Sequence, residues 1–263
     1  MRYSEGFKAG AGENAPGSTI IVDPEEIENV EIGVKTTWND GRTALNIAAF
    51  TYDLKGQQIN KTLSGGPAGF STIFENAAQT SANGIELDLY ADVGDWFRIN
   101  ASISYLDSQY DDFLTKDPQD PRNISTPPNL PIDPATDFDP TLGEIQLAGN
   151  PTRNSPELGA SLHLEYDFGA GRRPFTIMAD VSHRDDVFFT EFHRFVEGQS
   201  SYTMVDVNLR YRSADDRLTT DLWVKNANDE LAASSTFQLA TARTVGVTYL
   251  PPRTYGATVG YRF

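Results

Sequence analysis

The chain has 263 residues, no cysteine, 39% hydrophobic residues and a formal net charge of −16. So acidic a chain is a poor partner for nucleic acid, and the lack of cysteine excludes a disulfide framework and any thiolate metal site. No stretch approaches the roughly 18 apolar residues of a membrane helix, so a membrane crossing must use strands, in which only alternate residues face lipid.

In chain order, Arg2 to Lys8 reads as a short first strand. The opening MRYSEGFKAG lacks the apolar run of a signal peptide that a secreted barrel needs, so either a strand-built membrane crossing is the wrong reading or the natural start lies further upstream. From Asn29 to Trp38, Val30, Ile32, Val34 and Trp38 alternate with Asn29, Glu31, Gly33, Lys35 and Thr37. After Arg42 the alternation is less clean, and Leu45, Ile47 and Ala49 are assigned to the oily side because Asn46 shares its parity with Phe50 and Tyr52. Ile85, Leu87 and Leu89 then oppose Gly84, Glu86 and Asp88. Phe97, Ile99, Ala101, Ile103 and Tyr105 oppose Arg98, Asn100, Ser102 and Ser104. Four further segments repeat the pattern at 160–168, 175–182, 205–212 and 218–225. The last, Thr254 to Phe263, sets Tyr255, Ala257, Val259, Tyr261 and Phe263 against Thr254, Gly256, Thr258, Gly260 and Arg262. A period of two with one greasy and one polar side predicts β-strands between oil and water. Charges are frequent on the second side, where a packed sandwich core could not hold them.

Connections alternate in length. Asn39 to Gly41, Asp92 to Asp95, Gly169 to Arg173 and Ser213 to Asp216 are short and rich in Asp and Gly, as hairpin turns are. Longer links are expected near 62–76, 111–147, 191–200 and 238–245. Short turns at one end and long loops at the other describe an antiparallel up-and-down transmembrane β-barrel. On the oily parity the residue beside each short turn is aromatic: Trp38, Phe97, Phe168, Phe175 and Tyr211, with Phe263 at the same end. Such a row predicts an aromatic girdle at one membrane interface. Tyr105 and Tyr255 lie eight residues from Phe97 and Phe263, about 26 Å along a strand.

With these strands in place, YSEGFKAG, PEEIENVEIGVKT, NGIELDL, AGNPTRNSPELGASL, LWVKNANDE and PPRTYGATVGYRF resemble segments of TonB-dependent outer-membrane receptors, in the family's order. The resemblance implies an all-β fold, the C-terminal portion of a receptor barrel of about ten strands spanning 1–263, with no plug domain visible. It implies active uptake of a scarce nutrient, most readily a ferric siderophore, with energy from a TonB complex acting through a plug domain that this stretch lacks. It further implies outer-membrane lipid and the barrel-assembly machinery as partners, a small-molecule or metal-chelate ligand, and no enzyme activity. Tyr255, Val259, Tyr261 and Phe263 resemble the C-terminal signal that the assembly machinery recognises. Two other readings are carried: a passive porin-like outer-membrane barrel, and a soluble β-sandwich carbohydrate-binding protein.

Candidate binding residues are few. The segment Asp111 to Glu144 holds seven Asp, one Glu and seven prolines; Asp111 and Asp112 offer oxygen ligands of the kind Ca²⁺ takes, against the plain reading of a solvated, proline-stiffened loop. Glu191, His193 and His183 sit in SHRDDVFFTEFHRF, where imidazole and carboxylate suit iron or a chelate; ordinary rim residues are the plain alternative. Charges on the polar parity, such as Glu86, Asp88, Arg98, Glu165, Asp167, Arg210 and Arg212, either line a solute path or brace the wall. No catalytic motif, metal site or cofactor site is present in the sequence.

Overall fold

A computed structural model describes residues 1–15, 18–64, 70–115, 117, 138–139, 144–239 and 244–263. Ten strands build the wall: β1 (Arg2–Lys8), β2 (Glu25–Trp38), β3 (Thr43–Ser64), β4 (Phe70–Val93), β5 (Phe97–Thr115), β6 (Leu158–Phe168), β7 (Phe175–Arg184), β8 (Tyr202–Arg212), β9 (Leu218–Lys225) and β10 (Thr254–Tyr261). They pair in sequence order, each antiparallel to the next, as one continuous meander. The short turns suit this geometry. Asn39, Asp40 and Gly41 take φ of 55°, 54° and 86°, the left-handed conformation that these three residue types tolerate best.

Cross-strand partners share a face of a sheet, so register decides whether the alternation of each strand joins its neighbour's. It does. One row runs Val34↔Ile47↔Leu87↔Ile103↔Ala160, and the row beside it runs Asn46↔Asp88↔Ser102↔Ser161↔Ser182. The assignment of Leu45, Ile47 and Ala49 to the oily side holds, because they pair with Leu89, Leu87 and Ile85. The apolar side meets no second layer among the described residues: Ile32, Val34 and Val259 are 62%, 63% and 67% exposed. Burying one such side chain is worth about 1.5–3 kcal/mol, and a contiguous face of this kind belongs in a bilayer rather than in water. A soluble β-sandwich is therefore excluded, since it would bury these residues against a facing sheet.

Buried apolar side chains gather elsewhere. Strands β3, β4 and β5 have 22, 24 and 19 residues against 8 to 11 for β6–β10, and their surplus stands above the wall at the long-loop end. There Ala78, Tyr110, Phe113 and Leu147 form a small core with Ile59, Ile145 and Phe192 against it. The links expected at 62–76 and 238–245 are thus partly strand. β3 continues to Ser64, and Ala233–Leu239 pairs with Thr244–Tyr249. A further hairpin joins Ala11–Ala15 to Ser18–Val22. Above the membrane, water on both sides removes the demand for strict alternation, so these strands leave no period-two signal. Most of the Asp- and Pro-rich link, residues 118–137 and 140–143, lies outside the described residues.

The two faces make opposite demands on a substitution. In the full-length receptor, Leu162→Arg on the apolar row should cost about 2–4 kcal/mol, whereas Ser161→Asn on the neighbouring polar row should stay within about 0.5 kcal/mol. Denaturant unfolding in lipid vesicles measures both, and equal losses would contradict the assignment of faces.

Candidate functional site

The polar side of the wall carries an ionic mesh. Arg98 on β5 donates from Nε to Glu165 Oε2 at 2.6 Å, and its Nη2 lies 3.2 Å from Asp167 Oδ2 on the same strand, β6. His163 bridges Glu165 and Asp180, its Nε2 3.2 Å from Glu165 Oε1 and its Nδ1 2.6 Å from Asp180 Oδ1 on β7. On the next strands Arg210 Nε donates to Asp221 Oδ1 at 2.7 Å and Lys225 Nζ to Asp206 Oδ2 at 2.8 Å. These side chains are partly exposed, where each pair contributes about 0–1 kcal/mol. Their joint effect is a stiff, hydrophilic wall from β5 to β9. Of the charges singled out in the sequence, Arg98, Glu165, Asp167 and Arg210 belong to this mesh. Glu86 and Asp88 make no ion pair among the described residues, and Arg212 is exposed at the short-turn end. His163 completes the mesh from the same face, in parity with Glu165, without any motif to mark it in the sequence.

At the long-loop end each named rim residue has its own surroundings. Asp111 Oδ1 accepts from Ser81 Oγ at 2.8 Å and from Gln109 Nε2 at 3.2 Å. Asp112 Oδ1 accepts from Gln146 Nε2 at 2.8 Å. The backbone carbonyl of Glu191 accepts from Asn150 Nδ2 at 3.2 Å. His193, at φ 53°, stacks on Phe188 with centroids 4.2 Å apart and planes 9° from parallel; its Nε2 lies 2.8 Å from the Pro151 carbonyl, as a donor must. His183 follows Val181 on the apolar parity and pairs with Thr203, its Nδ1 2.9 Å from the hydroxyl. No group of three or more His, Asp or Glu fit to hold a metal occurs among the described residues. A clasp that no sequence motif marks fixes this rim. Arg194 Nη1 donates to Glu197 Oε1 at 2.9 Å, its Nη2 meets Asp117, and its guanidinium lies 4.9 Å from the centre of the Phe192 ring. Glu197 is fully buried and also accepts from Thr190 Oγ1 at 2.6 Å.

At the short-turn end the aromatic side chains form a file. Phe168 lies 5.4 Å from Phe175, and Phe175 lies 5.3 Å from Tyr211. Tyr166 continues it at 5.8 Å from Phe168, and Trp96 joins Tyr166 to Phe97 at 5.4 and 6.0 Å. Trp38 stands 41% exposed at the same end of β2. Trp96 escaped the sequence reading because it sits in a turn, outside the alternation.

A single antiparallel sheet, greasy on one side, ion-paired on the other and edged with rings, defines the class: a transmembrane β-barrel of the outer-membrane kind. Residues 1–227 match the family described as TonB dependent receptor-like, beta-barrel. The chain belongs to that family of outer-membrane receptors. It is 29% identical over 144 residues to the "Probable TonB-dependent siderophore receptor PiuA" of Acinetobacter baumannii, a match covering 50% of this chain and 18% of the relative. Its fold resembles that of the ferric yersiniabactin uptake receptor FyuA from Yersinia pestis, at TM-score 0.72 and 15% identity, over 99% of this chain and 34% of that one. It also resembles the solved siderophore receptor PiuA from Acinetobacter baumannii, at TM-score 0.63 and 21% identity, over 91% of this chain and 29% of that one. The chain thus spans about a third of the solved receptors it resembles and less of the sequence relative.

Burial lowers the pKa of the His193 imidazole from its ordinary value near 6.5. As pH falls below that value the unfolded loop takes up a proton before the folded one does, so the loop's stability is full above about pH 6.5 and declines beneath it. Asn154 donates its backbone N–H to the Phe188 carbonyl, next to the stacked pair. Its amide protection, corrected for intrinsic exchange, should therefore fall between pH 7.5 and 5.5, and His193→Gln should flatten that dependence. Protection that rises on acidification would contradict this reading.

Proposed function

We propose that residues 1–263 form one segment of the barrel wall of a receptor that takes up a scarce nutrient, a ferric siderophore, across the outer membrane in a TonB-coupled step. The observation that carries this reading is the family match over 1–227, and the name of the 29% identical relative supports the choice of cargo. The wall fits the task physically. Its apolar side anchors the segment in lipid, and its braced polar side gives a hydrated solute a surface to pass. Passage needs no covalent chemistry from this segment. Asp111, Asp112, Glu191 and His193, at the long-loop end, are the rim positions from which a metal chelate would first be met. TonB would act through a plug domain carried by the complete receptor outside this stretch.

The test is uptake of radiolabelled ferric siderophores by cells lacking the full-length gene. Loss of transport of one chelate, with the same loss when TonB is removed from the wild type, is the expected result. Transport indifferent to TonB would favour a passive porin and overturn the reading.

Assembly is a second part of the proposal. On β10 the outward row Tyr255, Val259 and Tyr261, with Phe263 beyond it, is 55% or more exposed at every position, and we assign it to recognition by the barrel-assembly machinery. Deleting Phe263 from the full-length receptor should lower its outer-membrane level several-fold, read by immunoblot of membrane fractions. An unchanged level would remove the assignment.

A further inference from the structure

A wet barrel face is ordinarily built of small and charged side chains, yet β3 places two aromatic rings side by side on it. Phe50 and Tyr52 lie on the polar parity, shared with Asn46 and Ala48. Their ring centres are 6.4 Å apart and their planes only 5° from parallel. They lie down because their neighbours on β4 are small. Phe50 pairs with Gly84, where a Cβ would stand 2.3 Å from the Phe50 ring. Tyr52 pairs with Ala82, which is wholly covered. The result is a paved aromatic floor rather than two upright side chains.

The surroundings of that floor are unlike the ionic mesh on β5–β9. Glu31 is paired with Phe50, and Asn29 with Tyr52, across on β2. Glu86 stands diagonally beside Phe50 on β4, two residues beyond Gly84. The rings and these groups line a hollow of about 440 Å³ whose charged side chains on this face are two carboxylates, Glu31 and Glu86, and one guanidinium, Arg2, which stands opposite Glu31 in the register. Asn29 Oδ1 is shielded and meets no donor among the described residues. Parallel ring faces attract a cation, carboxylates pair with one, and an orphan carbonyl oxygen needs a donor.

We propose that this hollow is a binding subsite for an organic cation, a protonated amine carried on an aromatic or apolar body, on the polar wall of the receptor. The inference rests on the uptake reading above and deepens it: it assigns to the passing solute a positively charged group that stacks on Phe50 and Tyr52 while Glu31 and Glu86 hold its nitrogen. An anionic or purely aliphatic group gains little there, since the lining repels the first and offers the second no ring-specific attraction.

The test uses the full-length receptor in lipid nanodiscs with three probes observed by ligand NMR: 4-fluorobenzylammonium, 4-fluorobenzoate and a butylammonium of equal charge. The expected order is fluorobenzylammonium tightest, butylammonium weaker and fluorobenzoate unbound. The isosteric double variant Glu31→Gln with Glu86→Gln should weaken fluorobenzylammonium by at least about tenfold. Phe50→Leu should abolish its advantage over butylammonium. Gel mobility with and without heating confirms that each variant is folded. Equal binding of ammonium and carboxylate probes, no binding of any probe, or a double variant indistinguishable from wild type would each overturn the subsite. Siderophore uptake by the same strains separates the two proposals. A receptor that transports iron but ignores the ammonium probe refutes the subsite alone, and one that binds the probe but transports no iron refutes the cargo alone.

Discussion

The constraint on which everything else in this chain depends is the parity of its ladders. A slip of one residue between two antiparallel strands turns every side chain of one of them to the other face. Across the lipid-facing band no such slip occurs. From Trp38↔Thr43 on the first hairpin to Val224↔Tyr255 on the last, the ladders run without a shift, so each parity keeps its face. The irregularities that do occur fall at Leu54/Gln57, Gln57/Gln58, Gln79/Thr80 and Ala233/Ser235. The first three lie beyond the level of Tyr105, in the part of the sheet that stands above the wall, and the last lies in the separate hairpin of Ala233–Leu239 with Thr244–Tyr249. Lipid enforces the alternation, and where lipid stops the chain is free to bulge.

Parity then distributes the chemistry. Carboxylates and cations in the wall are sorted to one side, where Arg98, His163, Arg210 and Lys225 make five pairs between strands and one within β6. Individually such contacts are weak in water, but all of them lie on the face that a hydrated solute would meet. The two aromatic rings on β3 break the rule of that face. Departures from local rules in an otherwise consistent design tend to mark function. The acid is also concentrated along the sequence: between residues 107 and 157 there are ten Asp or Glu against three Lys or Arg.

What the sequence disclosed follows the same division. All ten wall strands, their four short turns and the row from Phe97 to Tyr211 were legible, because a bilayer writes a period of two into any strand that crosses it. Even Leu45, Ile47 and Ala49, where two parities competed, were resolved by the single polar residue Asn46. The hairpins at 11–22 and 233–249 were not, since strands wetted on both sides need no alternation. The Arg194–Glu197 clasp was equally hidden. A buried ion pair three residues apart depends on a loop folding back over the Phe113 core, and nothing in RFVE announces it. The pairing of Phe50 with Gly84 was hidden as well, because the short turns join β2 to β3 and β4 to β5 and neither sets the register of β3 on β4, which shifts at Leu54/Gln57 and Gln57/Gln58.

The account stands on alternate residues of each strand facing lipid. This chain contains no cysteine, so single substitutions to Cys from Phe97 to Tyr105 place one reporter thiol in it at a time. In membranes, Arg98, Asn100, Ser102 and Ser104 positions should react with a charged thiol reagent, while Ile99, Ala101 and Ile103 positions should resist it and be quenched by lipid-borne nitroxide once labelled. Uniform reactivity along the strand, or the opposite phase, would contradict the two-faced wall.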